Sequence, residues 1–403
     1  MDRMTPDILI VGGGVAGLTA AAAFGTAGFD VICVDPAPPV TERDADGADL
    51  RTTAFLQPAQ AFLQRAGVWE HMAPHATALS VMRIVDAGGA DPTPRVTRDF
   101  DSTDISDAPF GYNLPNWLIR RTLLDRIAEL ENVGFRPGTA LSDLVARSHE
   151  ARARLSDGTQ VAPRLIIAAD GRNSPCRAAL GVGVRKFEFG QRAITFAVSH
   201  DQPHDNISTE VHRTGGPFTL VPLPDHDGRP SSAVVWMETE ANAQALLDLD
   251  VTAFEAAATA RSGAVQGALT LATRRTSWPI ISQIADRFYG PRTALVAEAA
   301  HVVPPIGAQG LNMSLGDLDD LLTRATASPD TLGDAPMLEA YHAARYGEVR
   351  TRVLGVSALN KASMSAPRPI RDARALGLKL LHGIAPVRRS LMRLGLGGVD
   401  QGR

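Results

Sequence analysis

The chain is short of cysteine, of positive charge and of long apolar runs. It has two cysteines in 403 residues. Cys33 falls in an apolar stretch and Cys176 follows a turn. Neither has metal-ligand spacing, so both are expected to be small core residues in a reducing compartment. The formal net charge of -4 excludes a general affinity for nucleic acid. No unbroken apolar run approaches the ~18–20 residues that span a bilayer. The N-terminus passes straight into an apolar strand pattern, so no secretory signal is expected and the protein is expected in the cytoplasm. Internal repeats and low-complexity tracts are missing too. With 44% hydrophobic and 21% charged residues, the composition is that of a soluble globular protein. Its length suffices for two or three interlocked domains.

What is present begins with "DILIVGGGVAGLTAAAAFGTAGFDVICVDP". It reads as strand (Ile8 to Val11), tight turn, alanine-rich helix (Leu18 to Ala27) and second strand (Val31 to Val34). Gly12, Gly14 and Gly17 have the G-x-G-x-x-G spacing. The first permits the sharp turn, the second lets backbone approach a pyrophosphate, and the third lets helix lie close on strand. The helix start then offers free N–H groups to phosphate. Asp35, about 20 residues on, suits the hydroxyls of an unphosphorylated adenosine ribose.

Two further apolar strands also end in acids. Leu165 to Ala169 delivers Asp170, followed by Gly171, Arg172 and Arg177. Leu295 to Ala297 delivers Glu298. Ligands of open α/β sheets sit beyond the carboxyl ends of their strands. Three acid-tipped strands fit a long ligand rich in hydroxyls, which favours FAD over NAD. Without a second G-x-G-x-x-G there is no separate nicotinamide domain. Either NAD(P)H visits transiently or a reductase protein delivers electrons. Between Gly181 and Asp286 the texture changes. "AITFAVSH", "TEVHRTGG", "FTLVPLP" and "SSAVVWME" alternate apolar and polar residues between turns, which predicts an antiparallel sheet, joined by the earlier "SVMRIVDA". "LDVTAFEAAATA" predicts a helix.

Together these stretches resemble the FAD-dependent aromatic hydroxylases (class A flavoprotein monooxygenases), and most of all their ubiquinone-biosynthesis, UbiH-type branch. The resemblance runs through the glycine motif, "RTTAF" from Arg51, "LPNWLIRRTLLDRI" from Leu114, the Asp170-Gly171 pair and "GPFTLVPLP" from Gly216. It continues through "EAAHVVPPIGAQGLNMSLGDLDDL" and "YHAARYGEVRTRV". The family carries "GDAAH" where this chain has Ala297, Glu298, Ala299, Ala300 and His301. The departure keeps the charge and adds a methylene, so FAD binding is expected to survive.

The resemblance implies a mixed α/β fold. A Rossmann-like FAD-binding domain (1–78, 113–181, 287–336) is interleaved with an antiparallel β-sheet substrate domain (79–112, 182–286), followed by a helical C-terminal region (337–403). It implies that Glu298 holds the ribityl chain and that Pro304, Pro305 and Ile306 wall the flavin ring, with Pro305 in contact. Gly307 and Gly310 would let backbone run close to a flat ligand. Gly310, Leu311 and Asn312 would present N–H groups to the reduced ring. Arg51 and Arg120 match arginines near the flavin and its pyrophosphate. His301 would pack behind the flavin. Phe218, Leu220, Val221 and Pro222 are the candidates for lining the substrate pocket.

The activity implied is oxygen insertion from dioxygen through a flavin hydroperoxide. The substrate would be the ring of a polyprenylated phenol in ubiquinone biosynthesis, within a ubiquinone-biosynthesis protein complex. The cofactor carries that chemistry, and no acid–base pair stands out. Two other readings stay open, a hydroxylase of a soluble aromatic compound and a non-catalytic flavin- or lipid-binding member of a biosynthetic complex. In the tail, Pro367 and Pro369 end a helical stretch. Residues 368–396 then mix leucine with Arg371, Arg374, Lys379, Arg388, Arg389 and Arg393. Such a basic amphipathic segment either lies on the cytoplasmic membrane face or packs its leucines on the flavin domain.

Overall fold

The computed structural model of the protein describes residues 3–87, 95–213, 215–364 and 382–396. Two sheets dominate it. The first grows from short apolar runs. Ile8–Val11 and Leu165–Ala168 are buried along their whole length, as strands covered on both faces are. Ile10 pairs with Ile167 on one side and Cys33 on the other. The six-stranded order is Tyr289–Gly290, Thr293–Leu295, Leu165–Ala168, Ile8–Val11, Val31–Asp35, Val133–Pro137. Only the first pair is antiparallel. Helix Val15–Thr26 makes the crossover after Ile8–Val11, and its small side chains let it sink into the core.

Parallel strands bring their carboxyl ends to one edge. Glu298, Asp170, the Gly12–Gly17 turn and Asp35 stand along that edge in this order. Each step is one strand spacing, about 4.8 Å.

The second sheet is mostly antiparallel. Its order is His301–Val302, Thr276–Ala285, Val184–Ser199, Arg229–Thr239, Gly216–His226, Ile207–Arg213, Val81–Asp86, Val96–Asp101, with Thr270–Leu271 beside Val184–Ser199. Ile207–Arg213 and Val81–Asp86 form its one parallel pair. The two-residue period divides its faces. Ile194, Phe196, Phe218, Leu220 and Trp236 pack against Phe254 of helix Val251–Ser262. Rings there meet at centroid distances of 5.0 to 5.9 Å. The other face, with Ala193, Thr195, Thr219, Val221 and Val235, looks into a cavity.

The segment from Thr293 to Val302 seams the two sheets. Thr293–Leu295 pairs with Leu165–Ala168, and His301–Val302 pairs with Gln283 and Ile284. Between them Ala297 takes a left-handed conformation, φ 53°. The chain then turns through Gly307 and Ala308, both left-handed, into helix Gln309–Ala327. The long helix Ala335–Met364 follows. Its Tyr341 hydroxyl donates to Leu295 O at 2.9 Å, which fixes it to the seam.

The last described helix is Ala385–Leu396. Arg388 clamps it to Asp104 with bonds of 3.0 and 3.2 Å. The rest of the expected basic tail, with Arg371, Arg374 and Lys379, lies outside the described residues. Both cysteines are free and buried. Burial pushes the two thiols up, each helped by a nearby carboxylate, Asp35 or Asp170. Inert core cysteines result.

Candidate active site

A cavity of about 640 Å³ lies between the carboxyl edge of the first sheet and the small-residue face of the second. Gly14 and Val15 line one end. Arg51, Arg120, Arg172 and Glu298 line the middle. Pro304, Pro305, Gly307, Gly310 and Leu311 form a side wall, and Val221, Val235 and Glu210 belong to the sheet face.

The glycine turn divides its work between packing and ligand. Gly12 has φ 109°, and a Cβ there would lie 2.4 Å from Ala169 O. A Cβ on Gly17 would lie 1.8 Å from Gly12 O. Gly14 is different: nothing comes within 4 Å of its Cβ position. The first and third glycines therefore serve backbone packing, while the second faces open space in the cavity. Helix Val15–Thr26 has no side-chain cap, which leaves its first amides free for an anion.

Asp35 accepts from Gly13 N at 2.5 Å and Ala37 N at 2.9 Å. Those bonds hold the carboxylate at the strand end. Asp170 accepts from Cys176 N at 2.9 Å through Oδ2. Its Oδ1 is buried with no partner among the described residues. Both acids stand at the edge without lining the cavity itself.

Asp49 organises the arginines. It takes bonds from Arg51 at 2.8 and 2.6 Å and from Asn116 at 3.0 Å, with Arg120 at 3.6 Å. Burial alone would raise its pKa, but Arg51, Asn116 and Arg120 outweigh burial and hold it below the ordinary carboxylate value. Arg51 also stacks on Trp278, 4.7 Å from the ring centroid. The register of the arginine pair is plain. Arg120 faces the cavity, with a buried Nε that lacks a partner among the described residues. Arg121 turns away to Trp117 and Glu42.

Glu298 pairs with Arg172 through two bonds, at 3.1 and 3.3 Å. Behind them Arg177 donates to Ala299 O and Arg172 O, both at 2.8 Å, and so ties two strand ends together.

Around Pro305 the helix start sets which amides are free. Ala308 is the N-cap, and its carbonyl takes the Asn312 side chain, at 2.6 Å, with no bond from the Asn312 backbone N–H among the described residues. Gln309, Gly310 and Leu311 keep free amides. The Asn312 amide, expected with Gly310 and Leu311 as a donor, takes no partner among the described residues either, while its side chain is fully engaged. It bonds Leu56 N at 2.9 Å, Ala54 O at 2.7 Å and Ala308 O at 2.6 Å. The Asn312 side chain thus ties the turn down. His301 packs behind the wall. Its Nε2 lies 2.6 Å from Asp317, which also takes Arg345 Nε at 2.9 Å.

Strand alternation corrects the expected pocket lining. Val221 lines the cavity, as does its neighbour Thr219. Phe218 and Leu220 point to the opposite face and are fully buried there. Pro222 stays out of the cavity, and its carbonyl accepts from Asn113 Nδ2 at 2.9 Å. Asp49, Trp278, and Glu210 with His212 join the site without a motif of their own. The last pair had a signal, since two polar residues at i and i+2 around Val211 share one strand face.

Acceptors for hydroxyls along one edge, cations midway, and a proline wall beside free amides together suit FAD. The open space at Gly14 and the cavity-facing Arg120 are the features a bound FAD would complete. Among the described residues no group of acids, histidines or cysteines could hold a metal.

Comparisons with known proteins agree. Residues 5–353 match the FAD binding domain family. Ubiquinone hydroxylase UbiL of Rhodospirillum rubrum is 30% identical over 400 residues, covering 98% of this chain and 90% of the relative. The 3-demethoxyubiquinol 3-hydroxylase of Escherichia coli is 24% identical, covering 98% of this chain and all of the relative. In fold, p-nitrophenol 4-monooxygenase PnpA from Pseudomonas putida matches with a TM-score of 0.81 at 18% identity, over 99% of both chains.

Proposed function

The chain belongs to the FAD binding domain family and is an FAD-dependent ring hydroxylase, and we propose that its substrate is a polyprenylated phenol on the way to ubiquinone. One observation carries this reading. The cavity runs from the Gly14 turn to the small-residue face of the second sheet, so a cofactor at the one end and an aromatic ring at the other would share one space. The names of the relatives in Rhodospirillum rubrum and Escherichia coli support the substrate class.

FAD, when bound, supplies the activation of dioxygen. The chain's own residues do the rest. Free amides at the start of helix Val15–Thr26, with Arg51 and Arg120, would hold the pyrophosphate. Asp35, at its strand end, would accept from ribose, Glu298 would accept from the ribityl hydroxyls, and Asp170 would hold the strand end beside them through Cys176 N. Pro304 and Pro305 lack N–H donors and so keep one side of the ring free of stray hydrogen bonds. Gln309, Gly310, Leu311 and Asn312 would offer amides to negative charge on the flavin ring. Val221, Ala233 and Val235 of the sheet face would keep water from the reacting centre. Electrons come from NAD(P)H or a reductase protein.

A lipid substrate needs a route from the bilayer. No helix among the described residues is long and apolar enough to cross a membrane. Helix Ala385–Leu396 instead exposes Val387, Leu391 and Leu394 beside Arg389 and Arg393. That pattern supports peripheral contact with an anionic membrane face. Lipid extracts from a deletion strain test the function. The expected result is an accumulated polyprenyl phenol one oxygen short of the next intermediate. Unaltered quinone pools would contradict it.

A further inference from the structure

We propose that Glu210 receives the hydroxyl of the phenol and thereby sets which way the ring faces in the cavity. This rests on the phenol reading above.

Glu210 sits on strand Ile207–Arg213. Alternation sends Val211 into the core beneath Phe218 and Trp236. Ser208 and Glu210, on the other face, line the cavity. The Glu210 side chain is only 14% exposed. Its Oε1 lies 2.7 Å from His212 Nε2, and His212 is itself 15% exposed. Its Oε2 takes no bond from the described residues, and it is not among the sealed polar atoms. A carboxylate oxygen largely removed from water and still unpaired favours the arrival of a hydrogen-bond donor.

The other polar groups of the cavity are less free. Thr195 and Thr276 bond each other at 2.7 Å. Ser208 Oγ is directed at Leu220 O at 3.5 Å. Asn113 is held by Pro222 O, and its Oδ1 is sealed. Thr219 lies directly across the strand pair from Glu210 and adds a hydroxyl beside it. Around these groups the wall is apolar, with Val221, Val235 and Ala233. His212, Asp86 directly across from it on the neighbouring strand with Arg95, and Arg98, which pairs with the Ile84 that faces Glu210, are the charged or titratable groups on this face near Glu210.

A phenol hydroxyl donates and an aryl ether cannot. An acceptor at Glu210 therefore distinguishes the two, by about tenfold or more for a hydrogen bond to a charged group. The FAD-loaded protein is titrated calorimetrically with 2-allylphenol and with 2-allylanisole. The wild type is expected to prefer the phenol about tenfold or more. Glu210→Met should bind both alike, and Glu210→Gln, which offers a neutral acceptor, should keep only part of the preference. Flavin content of each variant checks that it has folded. An undiminished preference in both variants would overturn the assignment while leaving the phenol reading intact. A wild type with no preference, or with no binding of either probe, would instead sink the phenol reading and this assignment with it.

Discussion

Arg172 and Glu298 face each other across the groove that runs along the carboxyl edge of the first sheet, joined by two bonds of 3.1 and 3.3 Å. The side chains are 28% and 44% exposed, so the pair adds little to stability, about 0 to 1 kcal/mol. Its effect falls on position. Glutamate carries one more rotor than aspartate, and Arg172 fixes it. Arg172→Ala should leave the melting temperature nearly unchanged. It should weaken FAD binding by roughly fivefold to tenfold, the loss of about one charge-assisted bond. A fluorescence titration with FAD reads this directly.

Gly14 and Gly17 should respond in opposite ways to alanine. Gly14 has nothing within 4 Å of a new Cβ, whereas Gly17 would press it against Gly12 O. Gly14→Ala should keep the stability of the FAD-free protein and weaken FAD binding by about tenfold or more, since the methyl enters the phosphate path. Gly17→Ala should lower stability itself. Melting curves with and without FAD separate the two.

Ala297 is held at φ 53°, a conformation that costs a residue with a side chain about 1–2 kcal/mol relative to glycine. Ala297→Gly should raise stability, by about 1 kcal/mol at most because the flexible unfolded chain recovers part of the gain. Ala297→Val should lower it. Chemical denaturation gives both signs.

Asp317 is fully buried between His301 and Arg345. Burial raises its pKa, yet His301 and Arg345 outweigh burial and bring it below the ordinary 3.8. A carboxyl lowered in the folded state binds its proton more readily when unfolded. Its contribution to stability is therefore complete above pH 3.8 and is lost as pH falls through the lower folded value. Asp317→Asn should cost about 3 kcal/mol or more near neutrality, because Arg345 loses its buried partner. It should also flatten the acid limb of a stability-against-pH curve.

Local features were legible from the sequence, and pairings between distant segments were not. The glycine turn, Asp35, Asp170 and Glu298 each sit where a short apolar run meets its own turn, so spacing alone located them. The seam was invisible because His301–Val302 joins the second sheet by pairing with Gln283 and Ile284, a contact no local pattern encodes. Phe218 and Leu220 were placed in the pocket because alternation tells which residues share a face but not which face meets the cavity. Asp49 needed Asn116 and Arg120 from a distant helix before it could act as a hub.

The central claim is that this cavity holds one FAD along the edge from Asp35 to Glu298. The absorbance spectrum of the purified protein, incubated with FAD and passed through gel filtration, tests it most directly. A yellow protein carrying one flavin per chain is the expected result. Colourless protein, with all of the FAD eluting free, would contradict it.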